Sequence, residues 1–340
     1  MKNTKIRNIL KIILTAFIVI TVLYLLQRLV FPKYSVGIQE GHMMREYYDD
    51  KTKHNLIVIG DSEMYENISP VTLWEKYGIS TYIRGSAQQL IWQSYYVLED
   101  TLRYETPEVV LMNVSSMAYS EPQKETYNRM TLEGLRWSKS KAEAIKASMT
   151  EEESFIEYVF PILRYHSRWS ELSADDIKYI FHEDNVSLNG YMMQLGVKPA
   201  GEIPEGRPLA DYTFADIDYE YLDRITGLCE EKGIELVLIK SPSLYPYWYE
   251  EWDEQMREYA DAHGIEYINC VNNQDTDIDF DTDTCDGGLH LNVWGAEKLA
   301  DYLGGVLKTR TGISDLRDDK ELVEIWNKKK EEYELKKYSG

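Results

Sequence analysis

Two short stretches hold the residue types that nucleophilic chemistry needs. "LIVIGDSEMY" (56–65) is an apolar run that breaks on Gly60, Asp61 and Ser62. A buried strand ending this way presents a hydroxyl at its carboxyl end. Serine is only weakly nucleophilic, however, unless an imidazole takes its proton and a third group holds that imidazole in place. "TCDGGLHLNVWGAEKLADYL" (284–303) offers both: His290, with Asp286 four residues before it, and Gly287 and Gly288 between them to let the loop fold the carboxylate back. Asn292 is placed to cap the helix that follows. The other five histidines have plainer settings: His42 in a linker, His54 before a strand, His166 and His182 in a helical interval, and His263 at a helix end.

These loops need a scaffold. Five short runs, 55–60, 79–84, 108–114, 234–240 and 265–270, are apolar and β-branched with little polar alternation, as strands covered on both faces of a parallel sheet are. Helical patterns at 88–104, 216–232 and 247–263 separate several of them. "EEKGIELV" and "DAHGIEYI" carry the glycine that ends a helix before a strand. This β-α-β rhythm predicts an α/β fold, a three-layer α/β/α sandwich around a central parallel sheet, with ligands beyond the carboxyl ends of the strands. The α/β domain spans 55–310. Within it, residues 115–215 lack a convincing strand and read as a helical insertion that shapes a substrate cleft, a passive helical layer being the plainer alternative. Residues 311–340 read as a charged amphipathic helix folded back on the domain, with Leu322, Val323, Trp326 and Tyr333 near helical spacing.

The first 33 residues differ from the rest. Residues 12–26 carry no charge, with Lys11 and Arg28 able to snorkel outward, which suits a transmembrane helix. Lys2, Lys5, Arg7 and Lys11 precede it without an acid, so the positive-inside rule keeps the N-terminus cytoplasmic and sends the remainder outside a cell membrane. A cleaved signal peptide would want a small-x-small site after the apolar core, and "QRLVFPKYS" has none, so the reading is an uncleaved single-pass anchor. Residues 34–54 form a linker. The whole chain has a net charge of −21, and with six basic residues and no acid in the first 33 positions the remainder is more acidic still. Such a surface repels polyanions, and no nucleic-acid partner is expected. Cys229, Cys270 and Cys285 form no C-x-x-C pair and imply neither a zinc site nor a disulfide framework; one bridge or three free thiols both fit.

"VIGDS" after the first strand and "DGGLHLNVWGA" before the last helix resemble the motifs of the SGNH (GDSL-like) hydrolase superfamily. The resemblance spans most of 55–308 outside the insertion. It implies that Ser62 is the nucleophile, His290 the base and Asp286 its partner, without a metal or other cofactor. The family usually places its aspartate three residues before the histidine, which leaves Asp283 as an alternative orienter. It also implies an oxyanion hole from the backbone of Ser62, a glycine after the second strand, matched by Gly85, and an asparagine after the third. Ser116 stands where that asparagine falls, while Asn113 comes too early. The anchor together with "NISPVTLWEKYGISTYIRGSAQQ" looks more like the extracytoplasmic branch related to DltD and the alginate O-acetylation proteins. That branch implies transfer of O-acyl groups, acetyl among them, onto a cell-envelope glycan or polyol beside a multipass membrane O-acyltransferase; with water as acceptor the same chemistry is an esterase. A catalytically idle scaffold or glycan-binding subunit is the alternative, and a secreted lipase fits less well.

Among the remaining signals, Tyr247 and Trp248 in "LYPYWYEEW" could stack on an acceptor sugar, although in a chain with 27 tyrosines packing is the favoured reading. Lys240 ends the fourth strand, where it would either steer an anion or be a solvated strand end. "DTDIDFDTDTCD" from Asp275 has Phe280 where an EF-hand needs glycine, and Asp286 rather than glutamate closes it, so no EF-hand is expected. No P-loop or G-x-G-x-x-G follows a strand, and no nucleotide cofactor is expected.

Overall fold

The five apolar runs form five strands in a computed structural model that describes residues 2–33, 39–203, 205–271 and 273–339. They are β1 (Leu56–Gly60), β2 (Thr81–Gly85), β3 (Val109–Asn113), β4 (Glu235–Lys240) and β5 (Glu266–Asn269). All neighbours pair in parallel in the order β2-β1-β3-β4-β5. The absence of alternation in the sequence has its cause here: every residue of β1, β2 and β3 is buried, because helices cover both faces. Leu56 and Val58 of β1 join Leu111, Val237, Leu299, Leu303 and Trp74 in one core, on the face covered by the helices Pro70–Tyr77 and Val293–Arg310. The intervening residues Ile57 and Ile59 point to the opposite face, where helices Ile91–Thr101 and Asp216–Lys232 pack against β1 and β4.

Helix boundaries follow local chemistry. Ser69 accepts from Thr72 N with Pro70 in the first turn, and Gly233 and Gly264 close the two helices whose glycine stops were legible. The C-terminal helix Lys320–Ser339 buries Leu322, Trp326 and Tyr333; Trp326 stacks on Trp74 at 5.4 Å and donates to Ser80 Oγ at 3.1 Å. The outer edge of β2 is occupied by residues 187–191. Ile83 N donates to Asn189 O at 3.0 Å and Asn189 Nδ2 donates to Thr81 O at 3.0 Å, which pairs two of the strand's outward groups.

The chain forms two compact units. One comprises Met1–Gln39 and Glu151–Asp184, the other Glu40–Thr150 and Asn185–Gly340, so the interval 115–215 contributes to both. The sheet lies in the second unit. The first holds the helix Lys2–Val30, whose segment Thr4–Val30 is long and apolar enough to cross a membrane. It also holds the short helices Phe155–Val159, Ile162–Tyr165 and Ala174–Phe181, with a 3-10 turn at His166–Glu171. Of the linker read at 34–54, residues 34–38 lie outside the described set, and Gln39–Glu46 is helical.

Candidate active site

In the strand order 2-1-3-4-5 the connections leave β1 and β3 in opposite directions, which opens a crevice at their carboxyl ends. Ser62 sits at that point as the first residue of the helical turn Ser62–Tyr65, capped by Asp61, whose side chain accepts from Glu63 N at 3.1 Å. His290 arrives from the loop before helix Val293–Arg310. Gly287 and Gly288 take φ of +94° and +107°, values that admit glycine most readily, and the reversal they make brings Asp286 under the imidazole. Asn292 caps the helix from the other side, accepting from Trp294 N and Gly295 N.

The three residues form one hydrogen-bonded chain. Ser62 Oγ lies 2.8 Å from His290 Nε2, and His290 Nδ1 lies 2.7 Å from Asp286 Oδ2. Asp286 Oδ1 also accepts from His290 N at 2.9 Å and Leu289 N at 3.2 Å, so the carboxylate is fixed by the loop it orients. These bonds hold the Asp286 carboxyl below its usual range in spite of burial. With Nδ1–H donated to Asp286, Nε2 is the lone-pair nitrogen that faces the serine. The four-residue spacing does not prevent pairing: Asp283, the alternative, is buried and accepts from Asp279 N and Lys298 Nζ, each at 2.8 Å.

A second carboxylate approaches the same imidazole. Glu66 Oε2 lies 3.6 Å from His290 Nδ1. Burial pushes Glu66 up to about 7, with the charge on His290 opposing the rise and that on Asp286 adding to it. For His290, burial works against the imidazolium, but the Asp286 hydrogen bond and the charges of Glu66, Asp286 and Glu63 outweigh it and raise the pKa above 6.5.

Beneath the serine lies a buried charged network. Lys240 Nζ donates to Glu63 Oε2 at 2.8 Å, Ser241 O at 3.0 Å and Ser243 Oγ at 3.2 Å. Lys240 is therefore neither a solvated strand end nor an exposed anion guide: its side chain is 2 % exposed and committed to Glu63. Burial alone would raise Glu63, but the Lys240 ammonium holds it below the usual carboxylate range; Asp61 is raised by burial and by the Glu63 charge beside it. Asn113, the last residue of β3, donates to Asp61 Oδ1 at 2.9 Å and Glu63 Oε2 at 3.2 Å. Asn113 thus reaches the serine turn although it stands earlier than the expected position. Ser116 is buried in the 3-10 turn Val114–Ala118, and its Oγ has no hydrogen-bond partner among the described residues. Gly85 ends β2 opposite Gly60, and a Cβ there would lie 3.0 Å from Gly60 O and 3.3 Å from Asp61 O, so the two backbones meet beside Ser62.

Backbone straps join the loops. Met192 N donates to Tyr65 O at 2.8 Å, Val293 N to Gln194 O at 2.8 Å, Lys198 N to Thr284 O at 3.0 Å and Ala200 N to Phe280 O at 2.9 Å. The loop after β4 is held to the histidine loop through Leu244 N to Gly288 O at 2.7 Å and Tyr245 OH to Asp286 O at 3.1 Å. Beyond it Trp248 packs with Phe214 and Trp252, whereas Tyr247 is half exposed and lies over Gly206. All three cysteines are free thiols. Among the described residues no group of His, Cys, Asp or Glu has the arrangement of a metal site. Glu66, Asn67 and the Glu63–Lys240 pair carried no readable signal in the sequence beyond their closeness to Ser62 or to a strand end.

No family model matches this sequence, and no curated protein does. Among the solved structures that match is a "putative acylhydrolase" from Bacteroides fragilis, 11% identical over 77% of this chain and 90% of that one. Its TM-score is 0.38, a similarity at which neither fold nor activity transfers.

Proposed function

We propose that the protein is a membrane-anchored, extracytoplasmic serine esterase or O-acyltransferase acting on the O-acyl groups of a cell-envelope glycan or polyol. The observation that carries this reading is the continuous hydrogen-bonded chain Ser62–His290–Asp286 at the carboxyl ends of β1 and β3. In the first half-reaction Ser62 Oγ attacks the acyl carbonyl while its proton passes to His290 Nε2. The tetrahedral intermediate collapses, the bond to the donor's oxygen breaks, and Nε2 returns the proton to that leaving oxygen. In the second half, the acceptor hydroxyl or water gives its proton to Nε2 as it attacks the Ser62 ester; the acyl–Oγ bond breaks, and Nε2 returns the proton to Ser62 Oγ. Asp286 holds the imidazole and stabilises its cation in both halves. The backbone N–H groups of Ser62 and Gly85, with the Ser116 hydroxyl, are the donors assigned to the developing oxyanion. Tyr247 is the more accessible of the two aromatics assigned to the acceptor.

A fluorophosphonate probe should label the purified protein, and Ser62→Ala should lose the label; labelling that persists in that variant removes Ser62 from the nucleophile's role. One observation favours a second reading, an idle scaffold for a membrane acyltransferase: the Asn113 amide is engaged by Asp61 and Glu63, which leaves the oxyanion donors few. Turnover of p-nitrophenyl acetate that depends on both Ser62 and His290 decides for the enzyme.

A further inference from the structure

Within the smaller unit, residues 155–181 are fastened to the last turns of the apolar helix and leave a set of large apolar side chains in the open. Arg28 donates to Ile180 O at 2.8 Å and Tyr179 O at 2.7 Å and pairs with Glu183 at 2.6 Å. Arg168 donates to Val30 O at 2.9 Å and Phe31 O at 2.7 Å, capping carbonyls that the helix end leaves unsatisfied. Asp176, fully buried, takes both Arg168 at 3.1 Å and Lys33 at 2.9 Å. Phe31 meets Tyr165 edge to face at 5.5 Å. These polar attachments fall at residues 28–33, at and just past the end of the apolar helix and beyond the charge-free stretch 12–26.

The collar exposes several large apolar side chains. Phe160, Leu163, Trp169, Ile177 and Phe181 are all about half exposed or more, Phe181 reaching 81 %. Ile177 and Phe181 are four residues apart and share one face of helix Ala174–Phe181, while Asp176 and Tyr179 are buried. Water-facing helices do not present side chains of this kind together without a partner. Their height identifies the partner. The attachments at Arg28, Val30 and Phe31, two to five residues beyond Leu26, put the collar about 3–8 Å past the hydrocarbon edge at about 1.5 Å per residue, which is headgroup depth. Tryptophan and phenylalanine are the residues that suit that layer.

We propose that residues 155–181 form an interfacial collar that lies in the headgroup layer of the outer leaflet and inserts Phe160, Leu163, Trp169, Ile177 and Phe181 into lipid. This rests on the reading of Lys2–Val30 as a membrane-spanning helix. Acidic residues outnumber basic ones in 151–184, so the attraction is apolar and a zwitterionic bilayer suffices. A collar tied rigidly to the anchor also fixes the height at which the chain leaves the membrane, which a single flexible linker does not.

The test uses the full-length chain, Cys285→Ala, in phosphatidylcholine nanodiscs, with an environment-sensitive fluorophore at Phe17→Cys, Ile177→Cys, Phe181→Cys or Glu231→Cys in turn. Labels at 177 and 181 should be quenched several-fold more by headgroup-proximal doxyl lipid than the label at 231, and shielded from iodide, with the label at 17 lying deeper. Lipid quenching at 17 alone, with 177 and 181 as open to iodide as 231, overturns the collar and leaves the anchor standing. Loss of lipid quenching at 17 removes the anchor, and the collar with it. Protection of 177 and 181 from both quenchers overturns the lipid assignment and points to a protein cover.

Discussion

Asn67 accepts the backbone N–H of Leu291 at 2.8 Å, so the turn that carries the serine holds the residue next to the histidine. The other end of the same amide donates to Ser241 Oγ at 3.0 Å, which adds the loop after β4 to the junction. Replacing Asn67 by Ala strands a buried N–H, at a cost of about 1–3 kcal/mol, and frees the two catalytic loops to drift apart. The expected result is a fall in kcat/KM for p-nitrophenyl acetate well below the denaturation midpoint, measured beside the stability loss. An unchanged kcat/KM would show that the tie serves folding alone.

Asp286→Asn should keep the fold and reduce kcat on the order of 10⁴-fold, because the amide can hold the wrong imidazole tautomer against the serine. Labelling rates with a fluorophosphonate give the same comparison for the first step only. A loss of less than tenfold would assign the orienting role elsewhere.

The acid limb of the pH profile should report His290. The base works only when neutral, and its pKa is raised above 6.5, so kcat/KM should rise with pH through an inflection above that value. Glu66→Gln removes one of the negative charges that favour the imidazolium, and the inflection should move to lower pH. Since Glu66 itself is pushed up to about 7, the wild-type limb reflects the coupled pair rather than one residue. A pH–rate profile of Glu66→Gln that overlays the wild type would sink this account.

The Glu63–Lys240 pair is buried on both sides, so removing one partner should hurt more than removing both. Lys240→Met leaves an uncompensated buried carboxylate, and about 3–5 kcal/mol of stability should be lost by chemical denaturation. The double variant Lys240→Met with Glu63→Gln should recover a substantial part of that loss. Equal destabilisation in the single and double variants would show that charge pairing is not the cause.

The sheet was legible because strands buried on both faces leave uninterrupted apolar runs, and each predicted strand overlaps the observed one within two residues. Ser62 and His290 were legible because their loops carry glycines and a hydroxyl where apolar periodicity stops. Glu63 and Lys240 were not: 177 positions separate them, and a charged residue at a strand or helix end reads the same whether it meets water or a buried partner. Asn113 was set aside for lying within a strand, yet the last residue of a strand can already turn its side chain into the crevice, as its bonds to Asp61 and Glu63 do. The collar was invisible for another reason: its helices are short, and their apolar residues face outward, against the periodicity that marks a core.

The segment 192–200 is tied to the serine turn and the histidine loop by four backbone hydrogen bonds, at Met192, Gln194, Lys198 and Ala200, with Lys198 Nζ adding a side-chain bond to Asp286 O at 3.4 Å. Amide and carbonyl are common to every residue except proline's missing N–H, so substitutions other than to proline leave these four bonds available. A one-residue deletion would instead break the spacing between the attachments on either side of it. The length of this segment is thereby held more tightly than the identity of most of its side chains.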